Sequence, residues 1–354
     1  MTSSHEVIIG RASHCSRRAV IWKVSVYVIF HRTPSRHRIG LDSLGRAERR
    51  TEQTLVRATN PGRETRPSGN WLNRSATPLE RPKQLEGRQS FTDAEVTAIQ
   101  RKADRLFGDG RSDYLDSEAL SVAVFSDAAV YKDPTGPLEG NEVTLRLQYD
   151  HRTSLISNPL DGKLPPYTPA GKLRRDAAEA LDTLKTPPKT PRNLAPYQRC
   201  IGYGIPYIGG NGGSYFQLVQ TRDHVVIAME NIHENRIIPL DGRPHLPPAI
   251  RLWDGDSVGH WEGQTLVVDT TNFRADNPFY GSSDRLHLEE RFTRVAPDEI
   301  QQEITVDDPA TWTKPWTAMQ RLTRTDERIF EVACHEGNAP VMEDMLGAAA
   351  KAQH

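Results

Sequence analysis

The run from about Ser214 to Asn338 limits the possible folds more than any other stretch, because it reads as one continuous antiparallel β-meander. Apolar and polar residues alternate in short segments, as half-buried strands require. Strands are expected at 215–220, 224–230, 236–239, 259–261, 265–271, 286–295, 299–306, 316–322 and 329–334. Turn-forming pairs separate them, among them Arg222-Asp223, Asp241-Gly242, Glu262-Gly263, Pro297-Asp298 and Asp326-Glu327. Such spacing, with no helix between strands, predicts a mainly β fold of about nine strands, barrel-like and lipocalin-like in general shape.

Ahead of the meander, residues 67–200 read as an extended and helical lead-in. Thr92 followed by Glu95 forms a capping box, and Val96, Ile99, Ala103 and Leu106 repeat at helical spacing, so a helix should end near Gly108. Val143, Leu145, Leu147 and Tyr149 alternate as in a strand. Thr168-Pro169 opens a second helix running to about Leu184, with proline at the favoured first position. Residues 201–354 then hold the barrel and a closing helix.

Charge divides the chain. Residues 1–66 carry 13 Lys and Arg against 5 Asp and Glu, and the remainder carries 32 against 41. A basic start of this kind suggests a disordered or targeting tail. Its apolar stretch, Ala19–Phe30, is well short of the roughly 20 residues a membrane span needs, so no integral membrane segment is expected. The segment Ser16–Lys23 faintly resembles a twin-arginine export signal, but a start placed too far upstream fits equally. The acidic body argues against a nucleic-acid partner.

Chemistry is suggested by ionisable residues on apolar strand faces. Glu290 shares a face with Leu288 and Phe292, and Asp269 with Val267 and Phe273. His233 joins Ile227 and Met229 if its strand stays regular past Glu230. Together these imply a ligand cavity inside the barrel where burial tunes acid–base groups. Glu290 or Asp269 would act as base, His233 as acid, and Arg236 or Lys314 as a clamp for negative charge, with His287 a further candidate. Trp253, Trp261, Trp316 and Met229 would wall a partly apolar small molecule; the alternative for the tryptophans is a core plug with a hydrogen-bonded indole. The reaction would be hydrolysis, isomerisation or elimination without a cofactor. The competing readings are a non-catalytic envelope module and a metal-dependent hydrolase. Metal ligation is not expected, for the histidines show neither HxH nor HExxH spacing. Gly202–Gly213 lacks a phosphate-loop ending and should form a loop at the barrel mouth. Cys200 and Cys334 fit either free thiols or one disulfide.

Several long motifs carry a resemblance. GDSVGHWEGQTLVVDTTNF, LHLEERFTRV, DPATWTKPWT and ACHEGN resemble those of a family of uncharacterised bacterial proteins, typically exported and β-rich. It extends over roughly residues 69–347 and includes His233, Arg236, Asp256, Trp261, Glu262, Asp269, His287, Glu290, Arg291, Lys314, Cys200 and Cys334. The resemblance implies a periplasmic or secreted protein and a Cys200–Cys334 disulfide. The chain departs from that pattern in its Arg-rich start and in its ending, GNAPVMEDMLGAAAKA.

Overall fold

The computed structural model describes residues 67–107, 124–125, 149–180, 190–194, 196–209, 215–276, 279–331 and 333–351. Its strands are β1 (Gly69–Asn73), β2 (Ile156–Asn158), β3 (Tyr215–Gln220), β4 (His224–Met229), β5 (Asn235–Pro239), β6 (Asp256–Glu262), β7 (Thr265–Thr271), β8 (His287–Ala296), β9 (Glu299–Asp307) and β10 (Trp316–Thr325). The helices are α1 (Asp93–Phe107), α2 (Pro169–Ala180) and α3 (Cys334–Lys351).

One antiparallel sheet runs in the order β5-β4-β3-β1-β10-β9-β8-β7-β6, with β2 pairing β10 off this path. Its two ends meet through side chains. Arg236 on β5 donates to Ser257 on β6, and a Cβ on Gly259 of β6 would lie 2.8 Å from Ile238 of β5. The result is a nearly closed barrel whose seam is sealed by packing rather than by a backbone ladder.

Two findings revise the sequence reading. β1 sits between β3 and β10, so residues 67–200 and 201–354 build one sheet rather than successive units. Residues 329–331 and 333 form no strand, and Cys334 opens α3. Residues 142–148, expected as a strand, lie outside the described residues. The capping box is present: the Thr92 amide donates to Glu95 at 2.8 Å, and the Glu95 amide donates back to the Thr92 hydroxyl.

Hairpin turns close one end of the barrel. Gly263 begins the two-residue β6–β7 turn at φ 61°, a left-handed conformation that such turns require and glycine adopts without strain. Near this end lies an apolar cluster of Trp71, Leu218, Ile238, Trp261, Leu266 and Phe292. A second cluster, with Leu155, Phe273, Leu288, Ile304, Trp312 and Trp316, fills the end covered by long connections. Burying each large side chain contributes about 1.5–3 kcal/mol. All four described non-glycine residues with positive φ, Cys200, Ile232, Asn272 and Tyr280, lie in the connections of that second end. Strain of this kind persists only where the surroundings over-determine it.

Candidate functional site

The strand period places a polar layer between the two apolar clusters. On β8 the inward residues run Leu288, Glu290, Phe292; on β9, Ile304, Gln302, Ile300; on β10, Ala318, Gln320, Leu322. Arg236 Nη2 donates to Glu290 at 2.6 Å, to Ser257 at 3.2 Å and to Thr270 at 3.3 Å. Gln302 donates to the other Glu290 oxygen at 3.0 Å, Gln320 donates to Gln302 at 2.8 Å, and Asn73 donates to Gln320 at 2.9 Å. This belt also ties down the loop after Cys200: Gln320 donates to the Tyr207 carbonyl and accepts from the Gly209 amide. The remaining cavity beside it holds about 30 Å³, room for one or two water molecules.

Directly along β5 from Arg236, toward the long connections, stands a different arrangement. Glu234, buried, faces Asp254, which is half-buried. Burial raises the Glu234 carboxyl and the Asp254 charge raises it further, to about 8, against weaker pulls from the Tyr203 amide and Arg236. Burial raises Asp254 too, offset by the hydrogen bond from Glu234 and by the Arg236 charge. Near neutral pH Glu234 therefore keeps its proton, facing Asp254. Neither Glu234 oxygen receives a well-formed hydrogen bond from a described donor outside the pair. Gly202 lies against it, where a Cβ would come within 2.8 Å of Glu234 Oε1 and 3.3 Å of Trp253 Nε1. The turn that delivers Glu234 contains Ile232 at φ 55°, an uncommon conformation for a β-branched residue.

Tyr203 links this pair to two cavities. One, about 430 Å³, is lined by Tyr197, Tyr203, Asn231, Ile232, Cys334 and Met342 among others. The other, about 370 Å³, is lined by Tyr203, Tyr207, Ile208, Phe279 and Tyr280 with Arg175. Tyr203 stacks on Tyr197 at 5.4 Å and meets Tyr207 edge-on at 5.9 Å. Burial, with Tyr197 and Glu234 nearby, pushes its phenol upward. The Cys200–Cys334 disulfide pins α3 over the first cavity.

The sequence candidates scatter over this frame. Glu290 and Arg236 do face the interior, as an ion pair, and Met229 lines the small cavity beside them. Asp269 does not join them: it pairs across with Glu289, on the outer face, because Val268 and Thr270 take the inward positions. There it accepts from His245 at 2.7 Å and from His287 at 2.6 Å, while His245 reaches Asp256 at 3.0 Å. His233 ends a 3-10 turn, so the strand continuation that aligned it with Met229 does not exist. Lys314 is exposed in the β9–β10 connection. Trp261 and Trp316 are core plugs, with indole N–H groups that meet no acceptor among the described residues, rather than cavity walls. Trp253 is half-buried under Arg274, beside Glu234. Sequence reasoning missed Glu234 and Asp254. The available signal was four acids, Glu230, Glu234, Asp241 and Asp254, in the two connections flanking β5.

No family model matches the chain, and no curated protein does. Among solved structures, a secretary abundant heat soluble protein from Ramazzottius varieornatus is 13% identical over 43% of this chain and 85% of its own, with a TM-score of 0.23. A variant of the fluorescent protein UnaG is 15% identical over 37% of this chain and 86% of its own, with a TM-score of 0.21. Likenesses this distant carry no argument; the nearly closed barrel rests on its own strand pairing. Among the described residues no helix is long and apolar enough to cross a membrane.

Proposed function

We propose that this barrel binds a small, partly aromatic or apolar molecule at its loop-covered end and works on it by acid–base chemistry through Glu234 and Asp254. The observation that carries this reading is a buried Glu234 carboxyl facing the half-buried Asp254 beside tyrosine-lined cavities, with burial and the Asp254 charge raising Glu234 to about 8. A carboxyl poised close to neutral pH can both give and take a proton, which suits isomerisation, elimination or hydrolysis. Asp254, half-buried, is the member through which a substrate or water would exchange that proton. The interior, with about 30 Å³ free, is too full for an organic ligand; the cavities of 370–430 Å³ fall within the range of ordinary small-molecule sites. That near-complete interior also favours a second reading, a binding module without catalysis. The disulfide supports an oxidising compartment, in keeping with the exported family that the motifs resemble.

Native mass spectrometry of the full chain, set against its denatured mass, tests binding. An adduct lost on denaturation, and absent from Tyr203→Ala, is the expected result. Turnover of the identified compound should then fall at least a hundredfold in Glu234→Gln, with binding retained. Retained turnover in Glu234→Gln would place the chemistry on other groups, and an adduct bound without turnover by the wild type would leave only the binding module.

A further inference from the structure

A cavity of about 730 Å³ shares no lining residue with those above; Arg81, Lys83, Glu86, Gly87, Gln89, Leu160, Asp161 and Lys163 surround it. Arg81 is its unusual member. Only 4% exposed, it has no carboxylate within ion-pair distance among the described residues. Neutral oxygens hold its guanidinium instead: Nε donates to the Thr153 hydroxyl at 2.8 Å, and Nη1 to the carbonyls of Leu160 at 3.0 Å and Asp161 at 2.5 Å. Gly162, at φ 68°, lies flat against the group, for a Cβ there would come within 2.9 Å of both Cζ and Nη2.

Nη2, which carries two N–H groups, donates to no described residue. A buried cation fixed by neutral acceptors is costly unless an anion completes it. The acids of the lining do not: the Asp161 side chain accepts from the Lys163 amide of its own turn, and Glu86 makes no ion pair with Arg81. Lys83 and Lys163 add positive charge around the same space, and Leu160, 69% exposed, gives it an apolar surface. We propose that this cavity binds a small organic anion, a carboxylate or phosphate monoester on an apolar body, with its charged oxygens on Arg81 Nη2. The two lysines draw the anion in and the apolar part rests on Leu160. Arg81 suits the role because its planar fork keeps one edge for the fold and leaves another for a ligand.

Titration calorimetry on the full chain, with octanoate, octyl phosphate, 1-octanol and inorganic phosphate as probes, tests this. At least one of the two octyl anions should bind about tenfold or more tightly than octanol, and its affinity should fall with added salt. The anion that binds more tightly identifies the headgroup. Arg81→Lys should weaken it about tenfold or more; because that variant loses part of the clamp, its folding is checked by thermal unfolding. Lys83→Ala with Lys163→Ala, both at exposed positions, should weaken binding severalfold without changing stability. Equal binding of octanol, absence of heat from both anions, or an unchanged affinity in the double lysine variant would overturn the proposal. Inorganic phosphate binding as tightly as octyl phosphate would overturn its apolar half.

Discussion

Two glutamates point into the same barrel along neighbouring layers, yet their surroundings are opposite. Glu290 has a partner for each oxygen, with Arg236 at 2.6 Å on one and Gln302 at 3.0 Å on the other. Glu234 faces another carboxylate and receives no comparable donor. The first arrangement is closed: each charge has an answering charge, and substrate could add nothing without displacing a strong hydrogen bond. The second is open, with a proton kept on Glu234 where both groups resist ionising. An acid inside a barrel therefore says little by itself; its partners decide whether it holds the fold or has a proton to give.

Breaking the closed member should have the largest effect. Glu290→Ala leaves Arg236 buried without its anion and should cost about 3–5 kcal/mol, read from urea unfolding. Replacing both partners, as Arg236→Met with Glu290→Leu, should recover most of that loss. A double variant as unstable as the single one would show that the belt, not the pair, carries the stability.

Removing the open member should act through pH. Glu234 binds its proton more tightly folded than unfolded, so its contribution is fully present below 4.5 and is lost as pH rises to about 8. Relative to wild type, Glu234→Gln should gain stability on the order of 3 kcal/mol by pH 9 and little at pH 4. Parallel stability–pH curves for the two proteins would contradict the raised Glu234 carboxyl. Gly202→Ala should cost about 1–3 kcal/mol by pressing a methyl against Glu234 Oε1. A neutral outcome would mean that the loop carrying Gly202 can withdraw from the pair.

Much of this architecture was legible because strand alternation is a direct record of facing. Eight of the nine meander strands form near their expected places, and the shared face of Leu288, Glu290 and Phe292 follows from parity alone. Parity is silent about which face of a strand is the inside. Val267 is apolar and buried, yet it pairs across with Arg291 on the outer side. Asp269, expected inside because it shares a face with Val267, therefore stands on the outer side of a correctly read strand. β1 and β2 escaped because strands of five and three residues, paired to partners far along the chain, leave no periodic trace. Glu234 and Asp254 meet only through the bend at Ile232 and the closing of β5 against β6, neither of which sequence spacing encodes.

The outer chain that runs from the buried Asp256 through His245 to Asp269 and His287 extends the contrast to partly exposed groups, where the effects should be smallest. Burial raises Asp269, but the hydrogen bonds and charges of His287 and His245 outweigh it and leave the acid lowered; the bond to Asp269 holds His287 raised. A lowered acid contributes above its unfolded value near 3.8 and loses that contribution as pH falls through the folded one. A raised histidine contributes below 6.5 and loses it as pH rises through its folded value. The pair should thus stabilise most between about pH 4 and 6.5. With side chains 35% and 47% exposed, solvent screening should hold the gain to below about 1 kcal/mol. Asp269→Asn should accordingly change stability little, while the His287 imidazole, followed by proton NMR, should titrate at lower pH than in wild type. An unmoved His287 titration would assign its shift to the neighbouring Asp307 and Glu289 charges, which also face it. A loss of several kcal/mol would instead place this chain with the closed interior pair, as part of what holds the barrel together.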